Sequence, residues 1–98
     1  MGFKDVKRQV LACLKSGNVL HEQRADIDIK NLLATGQISV DDIIGIIAQT
    51  RGNEYENSKH HVIGELDVHI VKTSFQGKYW YIKWYFVEPN SVFISAHL

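Results

Sequence analysis

One cysteine, one proline and no excess of charge define what this 98-residue chain lacks. A lone Cys13 cannot close an internal disulfide, so the chain must be held by its apolar core, and a reducing compartment, the cytoplasm, is the simple expectation. Eleven basic and eleven acidic residues cancel. That excludes holding nucleic acid by bulk positive charge and leaves only local basic patches for the task. No apolar run is long enough to span a membrane, and none near the N-terminus resembles a signal peptide. Gly-rich phosphate loops, GxSxG, His-Glu-x-x-His and paired-cysteine spacings are missing too, which removes nucleoside-triphosphate, serine-hydrolase and common zinc readings. No cofactor is implied. Internal repeats and linkers are also missing, so residues 1–98 read as one domain.

What is present divides at Gly52. Before it the apolar period is helical. Phe3, Val6, Val10, Leu11 and Leu14 predict an amphipathic helix over 3–16 that stops at Gly17. Asn18 to Arg24 reads as a connection carrying His21 and Arg24. Asp26 is a candidate N-cap for a shorter helix to Ala34. Ser39 caps a third, with Asp41 and Asp42 in its first turn and Ile43, Ile44, Ile46 and Ile47 to bury it.

After Gly52 the period alternates, predicting four strands: 54–62, 65–74, 79–88 and 92–98. The third, Tyr79 to Glu88, is almost wholly aromatic or β-branched and reads as the central strand. Alternation places Trp80, Ile82, Trp84 and Phe86 on a core face, and Tyr79, Tyr81, Lys83 and Tyr85 on a face with polar tips. The fold expected is α+β, two to three N-terminal helices packed on a four-stranded antiparallel meander.

Three-residue loops at Phe75-Gln76-Gly77 and Pro89-Asn90-Ser91 bring the apolar rows together, with Trp84 opposite Val68 and Ala96. On the polar face they place His69, Lys83 and His97 side by side, flanked by Tyr81, Tyr85, Asp67 and Ser95. A cationic row of this kind suits a phosphate site, where an anion relieves the repulsion and a histidine near neutrality serves as acid or base. Two other accounts compete: a polar face with no task, and metal ligation by His69 and His97 with Asp67. His60 and His61, read as neighbours on a strand, point to opposite faces and form no joint site.

Lys78-Tyr79-Trp80-Tyr81-Ile82-Lys83, the strand Val92-Phe93-Ile94-Ser95, the helix from Asp41 to Gln49 and the step Ser16-Gly17-Asn18-Val19 together resemble the MqsR family of toxin ribonucleases, within the RelE-like superfamily. The resemblance implies helices folded on a twisted antiparallel sheet and metal-independent cleavage of single-stranded messenger RNA. It puts Tyr81 in place of the family's active-site tyrosine and His97 where the family has a C-terminal lysine. The family's first-strand lysine falls near Glu56, with Lys59 close by, and its second-strand glutamine near Asp67 and His69. The catalytic candidates are therefore His97, Lys83, Tyr81 and His69; the substrate-binding candidates are Tyr79, Tyr85, Asp67 and Lys59. The partners implied are RNA, a cognate antitoxin protein and, as an alternative setting for cleavage, the ribosome. Two further classes stay open: a non-catalytic binding module, such as an antitoxin, immunity or adaptor protein, and a small metal-dependent hydrolase.

Overall fold

A computed structural model describes residues 2–23 and 30–98. Helix α1 runs Phe3–Ser16 and buries Val6, Val10, Cys13 and Leu14. It ends on Gly17, whose φ of 76° is open to glycine without a Cβ clash. Strand β1, Val19–His21, follows. Helix α2, Val40–Ala48, starts at a capping box in which Ser39 and Asp42 satisfy each other's backbone N–H. A 3-10 turn, Gly52–Glu54, leads into β2 (Tyr55–Lys59), β3 (Asp67–Phe75), β4 (Lys78–Val87) and β5 (Asn90–His97). Asp26 to Ile29, the start of the second expected helix, lie outside the described residues. Of the rest of that segment, Lys30 is helical, Asn31 forms an isolated bridge with Ala96 and 32–36 are turns.

The sheet has five strands in the order β1-β5-β4-β3-β2, with β1 parallel to β5 and the other pairs antiparallel. It is mixed and not the four-stranded antiparallel meander expected, because Val19–His21 is a strand and not a connection. Three residues are too few to show a period, and their pairing with β5 is made some seventy residues away in sequence, Val19 facing Ser91. Buried Asn31 anchors this edge. Its amide nitrogen lies 3.1 Å from His21 Nδ1 and donates to the Phe93 carbonyl at 3.3 Å, while its oxygen accepts from the Ala34 N–H at 3.1 Å. Asn31→Ala leaves these groups buried and unpaired, and is expected to cost ~1–3 kcal/mol, read as a lower urea midpoint.

Both hairpins take registers different from those expected. In β3–β4, Phe75 faces Lys78, His69 faces Trp84 and Ile70 faces Lys83. The loop is the two-residue Gln76-Gly77, with φ of 50° and 78°, a primed turn whose twist matches that of the strands. This register puts the polar His69 and Thr73 on the core side. The protein satisfies both: His69 Nδ1 bonds the Tyr55 hydroxyl at 2.7 Å, while Thr73 donates to Glu54 and accepts from Gln49, each at 3.0 Å. In β4–β5 the loop is Glu88-Pro89, Val87 faces Asn90, and a bulge between Lys83 and Trp84 makes Lys83 face Ser95 and Tyr81 face His97.

One face of this sheet carries the helices. Val6, Val10 and Leu14 of α1 and Ile43, Ile46 and Ile47 of α2 enclose a core with Val71, Trp80, Ile82, Trp84, Phe93 and Ala96. Gly45 admits the Phe75 ring against α2, where a Cβ would stand 3.2 Å from that ring. The opposite, open face, which neither α1 nor α2 covers, has a smaller cluster of Val68, Ile70 and Ile94 with Tyr81 and Tyr85 packed against it.

Candidate active site

The open face gathers Tyr79, Tyr81, Lys83 and Tyr85 from β4, as the alternation of the strand dictates. His97 joins them from β5, directly opposite Tyr81, and the two rings stack with centroids 5.2 Å apart and planes 22° from parallel. His97 Nδ1 lies 2.9 Å from the backbone oxygen of Leu98. A carbonyl can only accept, so Nδ1 carries the hydrogen and the Nε2 lone pair is left for another group. Lys83, half-buried, sits two residues along β4 from Tyr81, opposite Ser95 and Ile70. Among the described residues no carboxylate forms an ion pair with it.

Three of the expected site residues are elsewhere. His69 faces the helices, buried at 5% exposure between the rings of Tyr55, Trp84 and Phe86. Burial holds its imidazole below the ordinary range, against a partial pull from Asp67. The row His69-Lys83-His97 is therefore not formed; Tyr81, not Lys83, is the partner of His97. Asp67 and Lys59 pair with each other at the end of the β2–β3 ladder, and the lysine holds the Asp67 carboxyl below its usual range. Glu56, where the MqsR resemblance would want a lysine, bonds Lys72 at 2.7 Å on the open face. Tyr79 is 59% exposed at the other end of the row.

A second cluster escaped the sequence reading. β2 stops at Lys59, so His60 and His61 are not on a strand and do not diverge; their rings stack 5.1 Å apart at 9°. His60 Nδ1 accepts the N–H groups of Val62 and Ile63, each at 3.1 Å, and Nε2 donates to Glu22 at 3.0 Å. The loop after β2 is thereby tied to the chain just after β1. Tyr85 completes the knot, with its ring edge-on to His60 at 5.4 Å and its hydroxyl bonded to Glu22. Burial alone would raise the Glu22 carboxyl, yet the bonds from His60 and Tyr85 bring it below the ordinary range. The sequence signal was present in the His-His pair just before Val62-Ile63-Gly64, a turn where a ring nitrogen can cap free N–H groups.

Tyr85 thus belongs to the scaffold, not to a free stacking surface. Burial first, then the bond to Glu22, push its phenol up to about 12 from 10.0. The folded state favours the protonated phenol, so this contribution to stability is whole below pH 10 and is lost as pH rises through about 12. An absorbance titration should show one tyrosine ionising well after the others, and Glu22→Gln should move it only part of the way back.

Among the described residues no three His, Cys, Asp or Glu side chains converge as a metal-ligand set, and no helix is long and apolar enough to cross a membrane. Compared with known families, with curated proteins and with solved structures, the chain gives no match.

Proposed function

We propose that the open face binds single-stranded RNA and cleaves it without a metal, as a toxin ribonuclease. The observation that carries this reading is His97, its Nε2 lone pair free and its ring stacked on Tyr81, beside a lysine that no described carboxylate neutralises. Transesterification needs three things: a base for the ribose 2′-OH, a cation for the charge that builds on the phosphoryl oxygens, and an acid for the leaving 5′-oxygen. His97 Nε2 takes the 2′ proton, the 2′-oxygen bonds phosphorus, and Lys83 holds the non-bridging oxygens. As the bond from phosphorus to the 5′-oxygen breaks, the Tyr81 hydroxyl gives that oxygen its proton and regains one from the His97 imidazolium. The products are a 2′,3′-cyclic phosphate and a 5′-hydroxyl. Tyr79 offers an exposed ring on which a base can stack.

A chain with no net charge needs such local contacts to hold RNA. A toxin of this class also calls for a cognate antitoxin that blocks the face, in the cytoplasm. The zero net charge and the pairing of Glu56 with Lys72 favour the second reading, a binding module that uses the same face without chemistry. Incubation with a mixed-sequence single-stranded RNA in excess EDTA separates the two: cyclic-phosphate ends support the nuclease, and intact RNA with a well-folded sample, alone and with ribosomes, contradicts it.

A further inference from the structure

A pocket of about 200 Å³ opens on the same face beyond Lys83, lined by Ser58, His60, His61 and Lys83 over a floor of Val68 and Ile94. We propose that this pocket is a second phosphate subsite, taking the phosphodiester next along the RNA from the one held for cleavage, with His61 as its principal ligand and Lys83 shared between the two phosphates. The proposal rests on the RNA-binding reading of the open face.

The pocket suits an anion in two respects. Its wall is fixed, because both nitrogens of His60 are committed, one to Glu22 and the other to two backbone N–H groups. His61, which is exposed, is stacked flat on that wall and so needs little ordering to meet a ligand. Ser58 adds a hydroxyl, and the Lys59 ammonium at the rim is bound to Asp67.

The pocket also lies in line with the rest of the site. Tyr79, Tyr81 and Lys83 follow one another along β4 at steps of two residues, about 7 Å each. That step is comparable to the distance between successive phosphates on an unstacked strand. RNA laid along β4 would stack a base on Tyr79, present one phosphate to His97 and Lys83, and drop the next between Lys83 and His61.

The test is anisotropy binding of a labelled 2′-O-methyl single-stranded oligonucleotide, which has no nucleophile to be cleaved, as a function of salt. At pH 5, below the ordinary imidazole range, His61→Ala should weaken binding several-fold and reduce the slope of log K against log salt by about 0.7, the loss of one phosphate contact. His61→Lys should keep the slope. Equal affinity and equal slope for wild type and His61→Ala would overturn the subsite, and would do so whether or not unmodified RNA is cut. A His61-dependent slope in a protein that leaves unmodified RNA intact would uphold the subsite and overturn the cleavage reading alone.

Discussion

His97→Ala should lower the rate of RNA cleavage by about 10²–10⁴-fold, the usual contribution of a positioned general base. The argument is local. The imidazole is held at two points, by its Nδ1 hydrogen bond to Leu98 and by stacking on Tyr81, which leaves the Nε2 lone pair for a ligand. His97 lies outside the helix-side core, so the variant should differ from wild type in stability by no more than about 0.5 kcal/mol. Single-turnover cleavage beside a urea melt checks both halves. Lys83→Ala should cost about 10²–10³-fold through loss of the charge on the phosphoryl oxygens. A rate within a factor of two of wild type for His97→Ala would remove it from the chemistry.

Trp84→Ala should destabilise the fold by ~3–5 kcal/mol, a large part of the ~5–15 kcal/mol available to a small domain. Trp84 is fully buried at the centre of β4, with the rings of His69 and Phe93 at 5.8 and 6.1 Å. Its alanine variant leaves a cavity between two neighbouring strands that the helices above cannot fill without moving. Denaturant melts read the loss directly, and a change below about 1 kcal/mol would mean that the core closes over the gap. The two faces of β4 are thus separable: Trp84 is buried in the helix-side core, and its neighbour Lys83 lies on the face proposed to bind RNA.

Much of this was legible in the residues themselves. The strand from Lys78 to Val87 shows in its aromatic and β-branched content, α1 in its period and Gly17, and α2 in the Ser39 cap. Each is a local signal, and local signals survive folding. The registers were not legible from apolar burial, because that criterion works only where one face of β3 is buried. Val68 and Ile70 lie on the open face and Val71 on the helix face, so apolar parity could not choose between them. The turn could have: Gln76-Gly77 is a two-residue hairpin signal in its own right. His69 went to the core because a tyrosine hydroxyl waits there for it, and no pattern within β3 records that Tyr55 is opposite Val71. The Glu22, His60 and Tyr85 knot is assembled from three distant segments, which no spacing rule reaches. Tyr81 and Lys83 share a face by their parity within β4, and His97 joins them because the bulge between Lys83 and Trp84 cancels the slip that the shorter β4–β5 loop introduces.

The most direct test of the open face as the seat of chemistry is single-turnover cleavage of single-stranded RNA in EDTA by three proteins side by side: wild type, His97→Ala and His69→Gln, each shown to be folded by its urea melt. Loss of cyclic-phosphate product with His97→Ala, and its retention with His69→Gln, is the result predicted. Loss with a folded His69→Gln and retention with His97→Ala would move the chemistry to the helix-covered side and contradict the account.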